Sequence, residues 1–127
     1  MQEKKELSLT IKETEIHPNQ EIHGRIEVNY NDRFDTIVIN SQIENSSDVF
    51  NYIQLNGKRI NHPYARLSIY KKDLEEKRVV DFIAISQHIP KNDSSKVKFR
   101  ASIIQEHKEV INDILFLKIK KESNENL

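Results

Sequence analysis

The chain has 127 residues, the length of one ordinary domain, and no cysteine, so disulfides, cysteine-bound zinc and thiol nucleophiles are excluded. Its 20 basic and 20 acidic residues cancel to zero net charge, which argues against nucleic acid as a partner. No apolar run approaches the roughly 18 residues of a membrane span, and the start MQEKKELSLT has charges with no apolar stretch behind them. The sequence therefore predicts neither a span nor a signal peptide, and a cytoplasmic location that suits the missing cysteines.

Taken in chain order, the apolar residues alternate. Leu7, Leu9 and Ile11 share one face, with Ser8, Thr10 and Lys12 between them. After the turn HPNQ come Ile22, Gly24, Ile26, Val28 and Tyr30, opposite His23, Arg25, Glu27 and Asn29. Ile37, Ile39, Ser41 and Ile43 continue the series. A period of two with one polar face describes half-buried strands, and the many β-branched residues agree. In YIQLNGKRI, Asn56-Gly57 separates two short runs and predicts a tight hairpin with a type I′ turn. Strands follow at Ala65 to Lys71 and Val79 to Gln87, and Val97, Phe99, Ala101 and Ile103 alternate in another before a last one at Ile111 to Lys120. The charged segment KKDLEEKR between 71 and 78 has one apolar residue, which suits a connection or a single helical turn better than a packed helix. About eight strands at these spacings predict a sandwich or barrel spanning residues 1–121, with a flexible polar tail at 122–127.

Two positions stand out. Gly24 is one of two glycines, and on the inward face of its strand it buries no side chain and costs about 1 kcal/mol relative to alanine. A glycine there marks a bulge or the close approach of another group. The strands VVDFIAI and DILFLKI carry apolar residues on both faces. Either their second faces lie under a loop or hairpin, or Ile114 and Phe116 form an exposed apolar patch used for association.

The order Leu7-x-Leu9-x-Ile11, Ile16-x-Pro18, Ile22-x-Gly24-x-Ile26-x-Val28 resembles the opening of the arrestin-like β-sandwich. The run from Val80 to Pro90, then Ser94, Ser95 and VKFRASI, resembles that family's strand, proline-serine turn and returning strand, and FLKIKK its last strand. Two features depart from the family: its turn commonly reads Pro-Gly-Glu where Pro18-Asn19-Gln20-Glu21 stands here, and arrestins have two lobes where this chain has the length of one. The resemblance implies an all-β, immunoglobulin-like antiparallel sandwich of the arrestin-lobe type, acting as an adaptor or trafficking scaffold that captures another protein or a peptide segment. In that family lysines beside the first strand sense phosphate on the partner. Lys4, Lys5 and Lys12 stand near that place, although Glu3 and Glu6 flank the first two and a solvated charge run explains them better. A first strand at Glu6 to Thr14 also offers an edge for strand addition.

The five histidines, His17, His23, His62, His88 and His107, form no metal-ligand spacing and read as surface side chains. There is no Gly-x-Ser-x-Gly elbow, phosphate loop or calcium loop, so the expectation is a non-enzyme without metal or cofactor. The resulting expectation is a protein-binding domain that uses either an edge strand or a loop-and-hairpin surface around Asn51 to Tyr64. Two alternatives stand beside it: a carbohydrate-binding sandwich, if two or more of the four tyrosines lie coplanar on an open sheet, and a self-assembling homo-oligomer, which zero net charge does little to oppose.

Overall fold

The computed structural model describes residues 5–74 and 78–122. Its ten strands are β1 (Leu7–Ile11), β2 (Glu15–Ile16), β3 (Glu21–Val28), β4 (Thr36–Ile43), β5 (Asn51–Leu55), β6 (Lys58–His62), β7 (Arg66–Tyr70), β8 (Val79–Ile85), β9 (Ser94–Gln105) and β10 (Lys108–Lys120). They form two five-stranded sheets, β1-β3-β8-β5-β6 and β2-β10-β9-β4-β7. All neighbours are antiparallel except β2, which pairs in parallel with β10. The chain is a β-sandwich. The first stretch starts in one sheet as β1 and crosses at Thr14 to the other as β2, so a single run of chain closes one side of the sandwich. Two residues are too few for alternation to reveal β2, which is one reason the count exceeds eight. Between β7 and β8 the only turn of helix among the described residues is a 3-10 turn at Lys71–Asp73. Of the tail expected at 122–127, residues 123–127 lie outside the described residues.

The alternation places Leu7, Leu9, Ile22, Ile26, Ile37, Ile39, Val97, Phe99, Leu117 and Ile119 in one core between the sheets. Aromatic rings join it across the gap: Phe82 of the first sheet lies 6.5 Å from Phe99 of the second, Phe99 lies 5.2 Å from Phe50, and Phe82 meets Tyr52 edge-on at 5.8 Å. The hydroxyls of Tyr52 and Ser41 are buried with no hydrogen-bond partner, and burial pushes the Tyr52 phenol well above its usual value.

Gly24 is opposite Phe82 in the β3–β8 ladder, both facing inward, and the Phe82 ring lies where a side chain on residue 24 would stand. A β-carbon would overlap three atoms of that ring, so glycine gives the phenylalanine its seat. The predicted hairpin is also present, with Asn56 at φ 48° and Gly57 at φ 82° between Leu55 and Lys58. A second tight turn joins β9 to β10, and there Glu106 (φ 50°) and His107 (φ 66°) take the left-handed conformation without a glycine. The Asp35 carboxylate accepts the Glu106 N–H at 2.8 Å and holds that turn.

Gly24→Ala should lower unfolding stability by about 1–3 kcal/mol through overpacking, and Phe82→Leu in the same chain should relieve part of the loss. Urea unfolding of the two variants checks this; an alanine tolerated without cost would mean that the ring's position does not depend on the glycine.

Candidate binding face

Because side chains on a strand alternate, β10 sends Leu115, Leu117 and Ile119 toward the core and Ile114, Phe116 and Lys118 outward. The outward apolar residues are only partly covered. Phe116 is 52% exposed and Ile114 38%, side by side at alternate positions. Of the two readings of the two-faced strands, β8 fits the first in part, since it is the central strand of its sheet and its outward Val79, Ile83 and Ile85 are half-buried. β10 fits the second.

The ladders set what surrounds the pair. Ile114 lies opposite Arg100, which lies opposite Asn40 and then Arg66; Phe116 lies opposite Lys98 and then Gln42; Lys118 lies opposite Lys96. Lys96 Nζ sits 4.4 Å from the centre of the Phe116 ring, a cation–π contact. Beside them a shallow depression of about 440 Å³ is lined by Asn40, Ser41, Gln42, Lys98 and Arg100. Arg100 is already engaged, because its guanidinium grips Glu109, which also accepts from the Ser102 hydroxyl at 2.5 Å and from Asn112 at 3.2 Å. The Arg100 guanidinium, with the Ser102 hydroxyl, holds the Glu109 carboxyl down to about 2. Lys120 is tied to Glu15 at 2.8 Å. Lys96, Lys98, Lys118 and Arg66 make no ion pair among the described residues.

The lysines singled out beside the first strand do not join this face. Lys5 reaches Asp113 at 2.9 Å, Lys12 is exposed on the outer face of the other sheet, and Lys4 lies outside the described residues. Lys12 lines a groove of about 430 Å³ with Thr10, His23, Arg25, Gln54 and Asp81. Arg25 there pairs with Asp81 and the His23 ring meets Glu13, each at 2.7 Å, while Lys12 makes no ion pair among the described residues. β1 is an edge strand as expected, but the Asp113 carboxylate accepts the Leu9 N–H at 2.8 Å. An added strand would have to displace that carboxylate.

His88 corrects the reading of all five histidines as surface residues. It is 7% exposed, with Nδ1 2.7 Å from Asp48 Oδ2 and Nε2 2.9 Å from the buried Ser95 Oγ. A carboxylate can only accept, so Nδ1–H donates to Asp48 and, in the neutral ring, Nε2 accepts from the Ser95 hydroxyl. The bond from His88 lowers the Asp48 carboxyl. This order of groups is that of a serine hydrolase triad, but Ser95 projects into the sandwich from within β9, and it and His88 are almost fully enclosed. Its evident work is structural: with the Ser86 hydroxyl, which receives the His88 N–H and donates to the Val49 carbonyl, it binds the segment after β4 to the one after β8. Residues so far apart in sequence carry no spacing signal. Among the described residues no three potential ligands gather as a metal site.

No family model and no curated protein matches the sequence. Among solved structures, the human F-spondin reeler domain is similar over 93% of this chain and 89% of that one, with a TM-score of 0.54 at 13% identity. A lipoprotein from Bacteroides thetaiotaomicron is similar over 99% of this chain and 88% of its own, with a TM-score of 0.54 at 9% identity. What is shared is the fold.

His88→Ala should cost about 2–3 kcal/mol, since it opens a cavity and leaves the Ser95 hydroxyl buried without its acceptor. Urea unfolding measures it. A loss near zero would show that the network does not hold the two segments together.

Proposed function

We propose that this chain is a non-enzymatic protein-binding domain that presents the outer face of its second sheet to a partner. The observation that carries the reading is the outward pair Ile114 and Phe116, left half-exposed in a sandwich whose core is closed by the opposite faces of the same strands. An apolar centre with a polar rim is the usual anatomy of a protein interface. The resemblance to an arrestin-like lobe, which rests on sequence motifs, supports an adaptor, and a cysteine-free chain suits the cytosol.

The tyrosines give little support to a carbohydrate platform. Tyr30 and Tyr52 are buried, whereas Tyr64 precedes β7 and Tyr70 ends it, about 20 Å further along an extended chain. Self-association remains a second use of the same face, and it is separable by experiment.

Ile114→Asp and Phe116→Asp in one chain should abolish capture of specific partners from a lysate of the source cell while the circular dichroism spectrum is unchanged. Sedimentation of the unaltered chain, run alongside, should show a monomer. Partners retained in full by the variant would remove this face from the account, and a defined oligomer dispersed by the variant would assign it to self-assembly.

A further inference from the structure

We infer that the partner this face accepts is an acidic protein segment bearing an apolar anchor. The inference rests on the protein-binding reading above and adds the chemistry of what is bound.

Its ground is a cost built into the register. Lys96 and Lys118 are direct cross-strand neighbours on the exposed side of the β9–β10 ladder. Like charges placed opposite each other in a sheet destabilise it. Lys98 follows on the same face of β9, about 7 Å from Lys96 along the strand, and Arg66 ends the next row. The whole chain has zero net charge, so this is a local concentration of cations rather than a share of a general excess. The nearby acids do little to offset it: Glu109 is bound by Arg100 and Ser102, Glu15 pairs with Lys120, and Glu44 receives the Lys96 backbone N–H at 3.3 Å. On the other sheet Arg25 pairs with Asp81 and His23 with Glu13, while Lys12, Lys58 and Arg59 make no ion pair among the described residues, so what sets this face apart is the direct pairing of Lys96 with Lys118 beside an apolar pair.

Carboxylates from a partner would relieve the repulsion between Lys96 and Lys118 and reach Lys98, while an aliphatic or aromatic side chain covers Ile114 and Phe116. A nucleic acid fits less well. The chain's zero net charge supplies no long-range attraction to a phosphate backbone.

The test is a titration of the isotope-labelled chain, followed by amide NMR shifts. The probes are a short synthetic peptide with Asp and Glu around a central Leu-Phe pair, a neutral peptide with Ser and Gln around the same pair, and a single-stranded oligonucleotide. The acidic peptide should shift amides of β4, β9 and β10, weaken about tenfold as salt rises to physiological strength, and weaken by a similar factor in the Lys96→Gln, Lys98→Gln variant. It should lose those shifts in the Ile114→Ser, Phe116→Ser variant. If the neutral peptide binds these strands as tightly, the acidic preference is wrong and the protein-binding reading stands. If the oligonucleotide binds them more tightly than the acidic peptide, the face is a polyanion site and the inference is overturned. If neither peptide nor oligonucleotide moves these amides, the inference and the reading beneath it both fall.

Discussion

The structure turns on one contact, the Phe82 ring seated over the backbone of Gly24. Glycine in a strand gives up side-chain burial and conformational entropy. Here the ring fills the vacancy, so the apolar surface missing from β3 is supplied from β8, its neighbour in the ladder. From that seat Phe82 meets Tyr52 within its own sheet and Phe99 across the gap, and Phe99 in turn meets Phe50. A side chain at residue 24 would push Phe82 into this cluster, where interior packing leaves little room for adjustment. The packing of this aromatic cluster between the sheets therefore depends on residue 24 having no side chain.

With the core closed in this way, β9 and β10 satisfy it through one face only. Val97, Phe99, Ala101 and Ile103 on one strand and Leu117 and Ile119 on the other are buried. Their opposite faces are free of that duty, yet they carry an apolar pair and a cluster of cations rather than the mixed charges that keep a surface inert. Arg100 and Glu109 show what a self-satisfied group looks like on the same face. Lys96 and Lys118, facing each other across the ladder, show the opposite. The contrast between the two is what the proposed binding face rests on.

Much of the fold was legible because its signals are local. Period-two alternation located the strands, Asn56-Gly57 marked the hairpin, and an inward glycine implied a group pressed against it, which the structure identifies as Phe82. Exposure of Ile114 and Phe116 was only one of two readings that a strand apolar on both faces allowed, and the structure chose between them. What escaped depends on register or on distance in sequence. The turn at Glu106 and His107 lacks the glycine that would announce it and is held by Asp35, about seventy positions earlier. The Asp48–His88–Ser95 network joins residues from separate loops and a strand. Lys96 meets Lys118 only because the β9–β10 ladder pairs them, and Lys5 pairs with Asp113, more than a hundred positions away in sequence.

The central claim is that Ile114 and Phe116 are kept for contact with something outside the fold. Urea unfolding of the Ile114→Ser, Phe116→Ser chain tests it most directly. The account predicts a loss of about 1–2 kcal/mol, the worth of the cation–π contact, strand propensity and the part of each side chain already covered. A loss of several kcal/mol, as core residues give on truncation, would mean that the pair belongs to the folding of the sandwich and that the face has no need of a partner to explain it.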